Sequence, residues 1–195
     1  MRAVTELPQG YALYDRINLQ KDKRAALKVN LAGAAVFVAL FFLGHFAFYP
    51  FGSIVSGDST VTSDLLKLVA VVGGYLAYII LHELTHAAVM KYYGAVKIRF
   101  GFTGLYAYAG SEVDYFGKIP YRVIAMAPFV VWTLLLTIPL FLVPVDWFWV
   151  FYFVQIGNFA GCVGDFYVTL RLWNAPADIL IRDTGVEMFI YSKQK

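Results

Sequence analysis

The chain has 195 residues, of which 60% are hydrophobic and only 15% charged, and its mean hydropathy is +0.64. Soluble domains carry about 25% charged residues, so this composition excludes an ordinary water-soluble enzyme and describes an integral membrane protein in a lipid bilayer. The net charge is +3 with no basic stripe of interleaved aromatics, which excludes nucleic acid as a partner, and the single cysteine, Cys162, excludes an internal disulfide.

Residues 1–28 form a polar arm with a basic cluster, Arg16, Lys21, Lys23, Arg24 and Lys28. The first apolar run follows too late and runs too long for a signal peptide, so it reads as a retained anchor. It spans 29–49 and ends at Tyr49-Pro50. At about 1.5 Å per residue this length crosses the hydrocarbon. His45 near its far end reads as a hydrogen-bonded interfacial histidine, with a third metal ligand as the sharper alternative. A Gly/Ser/Thr/Asp loop over 51–63 leads to a second span, 64–93, closed by Gly94.

Residues 95–120 are too polar and glycine-rich to span. Val96, Ile98, Phe100 and Phe102 alternate with Lys97, Arg99, Gly101 and Thr103, a period-two signal for a strand. With residues 105–116 this predicts one or two strands, a hairpin if two, at the membrane surface. The third span is 121–143, where Ala127-Pro128 predicts a kink. The fourth is 147–170, with a polar, glycine-dotted second half (Gln155, Gly157, Asn158, Gly161, Gly164, Asp165). Such a face suits packing around a site better than contact with lipid. The tail, 171–195, predicts short strands over 179–182 and 187–191 around the turn Asp183-Thr184-Gly185. The predicted fold class is an all-α polytopic membrane protein: four transmembrane helices in a 29–170 membrane domain, a small strand segment between helices two and three, and a strand-like tail. Of the 16 Lys and Arg, only Lys67 falls near the loops of the opposite face, so the positive-inside rule puts both termini in the cytoplasm.

The chemistry is carried by His82-Glu83-Leu84-Thr85-His86. Residues four apart share a helix face, so both imidazoles reach one point. His-Glu-x-x-His is a zinc pattern, with two histidine ligands and a glutamate that acts as general base on water. Ionisable groups at membrane depth are costly and read as functional. One zinc ion needs a third protein ligand and an open position. With only three histidines and one cysteine in the chain, a carboxylate is expected. Asp165 is chosen for its depth, with Glu112, Asp114, Asp178 and Glu187 as rivals. Glu83 is the expected catalytic base. Asn158, two turns before Asp165, is expected to hold an extended substrate or its oxyanion, and an interhelical hydrogen bond is an equal alternative. The strand over 95–102 offers an edge to an unwound peptide.

The His-Glu-x-x-His sequence late in one span, with Asn158 and Asp165 late in another, resembles the site-2 class of intramembrane zinc metalloproteases. Ala125-Met126-Ala127-Pro128 is loosely similar to the Ala-Gly-Pro element of that class. The arrangement resembles more closely the small bacterial four-span membrane zincin family, whose chains often end in a tail like Asp183-Thr184-Gly185. The prolines of the Asn-Pro-x-Pro element are absent here, and Gly164-Asp165-Phe166 stands where that class has Leu-Asp-Gly. The resemblance implies a bacterial cell-membrane protein and a zinc peptidase whose third ligand is Asp165, acting on peptide or membrane-protein substrates. Two other readings compete: a non-catalytic zinc-binding or client-binding protein on a protease-like fold, and a small ion transporter or metal sensor. The intact Glu83 argues against the first. The scarcity of polar groups in spans one and three argues against the second.

Overall fold

The computed structural model describes residues 2–55, 60–104 and 106–194. The centre of the predicted 51–63 loop (56–59) and Leu105 lie outside the described residues. The chain is mostly helical, and among the described residues three helices are long and apolar enough to cross a membrane: Lys23–Phe48, Val61–Tyr92 and Lys118–Leu140. In chain order the elements are β1 (Tyr11–Ile17), α1 (Lys23–Leu43), α2 (Val61–Tyr92), β2 (Arg99–Phe102), β3 (Ala107–Gly110), β4 (Phe116–Gly117), α3 (Lys118–Leu140), α4 (Val145–Gly161), α5 (Val163–Trp173), β5 (Leu180–Asp183) and β6 (Met188–Lys193). A π-helical turn, Gly44–Phe48, extends α1, and a short 3-10 turn, Phe51–Ile54, follows it.

Helix α1 starts six residues before the predicted apolar run. Asp22 explains this: its carboxylate accepts the Arg24 and Ala25 amides at 3.1 and 3.0 Å and caps the helix. Hydropathy marks where lipid begins, whereas the cap marks where the helix begins. Likewise α3 starts at Lys118 because Pro120, in the first turn, needs no intrahelical donor. The predicted fourth span is not one helix. It breaks at Cys162, giving α4 of 17 residues and α5 of 11. At about 1.5 Å per residue α4 is roughly 25 Å long, short of the ~30 Å hydrocarbon.

The chain forms two compact units. One comprises residues 30–81 and 129–163. Its buried core is Phe148, Trp149, Tyr152 and Ile156, with Leu40, Phe41, Ile54, Leu140 and Phe153 packed against them. The π turn sits where Gly44 faces Tyr152, since a Cβ there would lie 2.2 Å from the ring. Tyr152 donates its hydroxyl to the Leu40 carbonyl at 2.8 Å. Lys67 is 1% exposed, donates to the Ile54 carbonyl at 2.8 Å and pairs with Asp146 at 3.0 Å. His45 Nδ1 accepts the Phe51 amide at 2.9 Å, the hydrogen-bonded role expected for an ordinary histidine. Along α2 in this unit, Leu65, Leu66, Leu68, Val69, Val72, Leu76 and Ile80 are exposed, a stripe that suits lipid and not water.

The other unit comprises residues 1–29, 82–128 and 164–195. It holds a four-stranded antiparallel sheet in the order β1-β6-β5-β4 and a separate β2–β3 hairpin. Both tail strands fall on either side of the predicted Asp183-Thr184-Gly185 turn, and Gly185 at φ +85° makes that turn. The predicted polar arm is instead part of the sheet: β1 pairs with β6 over Tyr11↔Lys193 to Ile17↔Met188. The strand predicted to begin at Val96 begins at Arg99, because Asp114 accepts the Val96 and Lys97 amides at 2.9 and 3.3 Å and takes them out of any ladder. The core joins Ile17, Met90, Phe116, Tyr121, Ile124, Leu172, Ile181 and Ile190.

Candidate metal centre

The His-Glu-x-x-His stretch lies in the last third of α2, within the sheet-bearing unit. Its two imidazoles meet edge to face, with centroids 4.8 Å apart and Nε2 atoms 3.2 Å apart. The break at Cys162 restarts the helix as α5 with Asp165 in its first turn, where the helix dipole favours a carboxylate. Asp165 Oδ2 lies 3.4 Å from His82 Nε2, and Asp165 Oδ1 lies 3.5 Å from His86 Nε2. Among the described residues, His82, His86 and Asp165 form the group whose ligand atoms converge within 4.8 Å. Asp165, the expected third ligand, thus lies in one cluster with the two histidines. Three of the four rivals are occupied elsewhere: Glu112 pairs with Arg99, Glu187 with Arg16, and Asp114 accepts Ser111 Oγ at 2.6 Å.

Three observations fit these residues to zinc. Nitrogen and oxygen ligands at about 2.0–2.1 Å from a tetrahedral ion stand about 3.3–3.4 Å from one another, and the three separations here are 3.2, 3.4 and 3.5 Å. The orientation of His86 is fixed. Its Nδ1 lies 2.9 Å from the Ile124 carbonyl; a carbonyl only accepts, so Nδ1 carries the hydrogen and Nε2 presents its lone pair to the centre. Finally, Asp165 Oδ2 is buried without a hydrogen-bond partner, a costly state that a cation relieves.

Glu83, beside His82, is turned about 100° around the helix. The backbone of Ala109 in β3 lies near enough to its carboxylate to act on it electrostatically. The hairpin predicted from alternation thus lies directly beside the predicted base. Asn158 belongs to the other unit, and both ends of its amide are engaged there. Oδ1 accepts Tyr78 Oη–H at 2.9 Å, and Nδ2 donates to Thr133 Oγ1 at 3.0 Å.

Sequence reasoning missed two contributions. The first is the Ile124 carbonyl, for which a signal existed. Pro128 lacks an amide hydrogen, so the carbonyl four residues earlier has no helical donor. The second is Asp183, predicted only as a turn residue. Its carboxylate accepts the Tyr121 hydroxyl and, at 2.8 Å, the Gly185 amide, while its carbonyl accepts the Ser111 amide at 2.6 Å. Burial raises the pKa of Asp183 above the ordinary carboxylate value, against the lowering effect of its Tyr121 and Gly185 hydrogen bonds.

Two histidines one helical turn apart, a converging carboxylate and an adjacent glutamate define the metal centre of a zinc-peptidase class. Residues 75–180, more than half of the chain, match the family described as "Putative zincin peptidase", and the chain belongs to that family of zinc metallopeptidases. No curated protein and no solved structure matches it.

Proposed function

We propose that this protein is a membrane-embedded zinc peptidase, similar to the site-2 type, that hydrolyses peptide bonds of membrane or membrane-proximal substrates near the cytoplasmic face of a bacterial membrane. The convergence of His82, His86 and Asp165 beside Glu83 carries the reading. Cytoplasmic termini follow from the charge distribution.

His82, His86 and Asp165 would hold a zinc ion, which when bound would polarise a peptide carbonyl and lower the pKa of water toward about 7. Glu83 takes the proton from the attacking water as the new C–O bond forms. It then delivers that proton to the amide nitrogen as the C–N bond breaks. The Glu83 carboxylate lies near the Ala109 backbone of β3. The Ile124 carbonyl holds the His86 ring, and Asp165 balances charge. A peptide in a helix hides its carbonyls, so the substrate must be extended, and the backbone of β3 is the edge that lies beside the base. The hydrogen bonds of Asn158 support a helix-packing role in preference to substrate contact.

The test is zinc content and cleavage measured together. Wild type and Glu83→Gln should hold one zinc each, whereas His86→Ala and Asp165→Ala should lose it. Glu83→Gln should lose cleavage. Equal zinc in all four proteins, or undiminished turnover in Glu83→Gln, would sink the assignment.

A further inference from the structure

The outer edge of β3 is closed at one end. In the hairpin, Thr103 donates to the Tyr106 carbonyl at 3.0 Å, and Phe100 stands opposite Ala109. Alternation along an antiparallel pair then turns the amides and carbonyls of Ala107 and Ala109 away from β2. The Ala109 backbone lies beside the Glu83 carboxylate. The next residue of the same parity, Ser111, gives its amide to the carbonyl of Asp183, the last residue of β5. The lane that a peptide paired with β3 would follow is therefore filled at Ser111 by the tail.

This closure is tight. A Cβ on Gly110 would lie 2.3 Å from the Gly185 nitrogen, and a Cβ on Gly185 would lie 2.1 Å from the Tyr108 ring. Tyr121 and Gly185 hold the Asp183 carboxylate in place. Two residues of strand rise about 6.6–6.8 Å, which is all that separates Ala109 from Ser111. A general base must come within about 2.6–3.2 Å of the proton it takes, so the bond that Glu83 serves lies beside Ala109. Only one or two residues fit between that bond and the tail.

Charge selects which end of a peptide enters this corner. The Asp183 carboxylate is close enough to couple electrostatically to His86 and Asp165. Each of its oxygens retains a free lone pair beyond the hydrogen bond it accepts. An α-amino group is cationic at neutral pH and compensates the carboxylate. A carboxylate end would meet the Asp183 carboxylate, of its own sign.

We propose that the enzyme removes one or two residues from the free amino end of an extended peptide lying antiparallel to β3, with the Asp183-Thr184-Gly185 turn as the wall and Asp183 as the anchor for the amino group. This rests on the zinc-peptidase reading above. Hydrolysis adds water across the amide, and the released fragment keeps its original amino end and gains a carboxylate.

The experiment uses the full chain, loaded with zinc in lipid nanodiscs, and short unstructured peptides that are free, N-acetylated or C-amidated, with products read by mass spectrometry. Free and C-amidated peptides should lose one or two amino-terminal residues at equal kcat/KM. Acetylation should lower kcat/KM about tenfold or more, as expected for loss of a charged hydrogen bond. Asp183→Asn should raise KM for the free peptide by a similar factor and so remove most of the difference between the free and acetylated peptides. Binding to the inactive Glu83→Gln protein, followed by fluorescence anisotropy, should show the same preference without turnover. Internal cleavage, trimming from the carboxyl end, or indifference to acetylation would overturn the inference while leaving the peptidase intact. If no peptide gives a product that Glu83→Gln abolishes, the peptidase reading fails and this inference fails with it.

Discussion

His86 Nδ1 donates to the carbonyl of Ile124 at 2.9 Å, and that carbonyl is free to accept because the residue four positions later is Pro128. A proline that looks like a simple kink in a membrane helix thus supplies the acceptor that orients a metal ligand. Pro128→Ala returns an amide hydrogen to α3 and lets Ile124 bond within its own helix. Outer-shell partners of this kind contribute about 10–100-fold to metal affinity. Zinc affinity measured by chelator competition should fall by that order in Pro128→Ala, with the helix intact by circular dichroism. Undiminished affinity would show that the His86 orientation does not depend on Ile124.

The close approach of the hairpin to the tail turn makes a steric prediction. Gly110 has no left-handed backbone requirement, so the cost of a side chain there is contact alone. A Cβ would meet backbone atoms of Thr184 and Gly185 at 2.3–2.8 Å, and backbone cannot swing aside as a side-chain tip can. Gly110→Ala should lose about 1–3 kcal/mol, the usual cost of overpacking, seen as a lowered Tm. Limited proteolysis should become faster within residues 99–110. A melting curve superimposable on wild type would refute the tight packing.

The raised pKa of Asp183 has a defined sign in stability. Burial makes the folded state hold this proton to higher pH than the unfolded chain does, so between the ordinary carboxylate value and the raised one the folded state binds more protons. The favourable contribution is complete below about pH 4 and is lost as pH rises through the raised value. Asp183→Asn cannot ionise, so its Tm should fall less than that of wild type across this window. Parallel Tm–pH curves for the two proteins would contradict the assignment.

The legibility of this chain depended on sequence distance. His82 and His86 were readable because one helical turn sets their spacing. Asp165 was readable because an acid at that depth in an apolar run demands a partner. The tail hairpin showed itself by the turn Asp183-Thr184-Gly185. By contrast, β1 finds its partner β6 at the other end of the chain, and its alternation is broken where the register shifts between Leu13 and Asp15. Nothing local distinguished it from a polar arm. The break at Cys162 was hidden for a different reason. Hydropathy continues through it, no proline marks it, and the flanking Gly161 and Gly164 permit a break without requiring one.

The pairing of β1 with β6 also imposes an order on biosynthesis. Strand β1 can close its ladder only once β6 has been made, and Asp183 enters the Tyr121 and Ser111 hydrogen bonds just before that. Both histidines and Asp165 can already be inserted while the wall beside Glu83 is still missing. A chain cut short after α5 therefore carries the metal ligands without the strand support around them. Synthesis of β6 becomes the step that completes the sheet, and a copy cut short before it is left with an unpaired β1 for quality control to find.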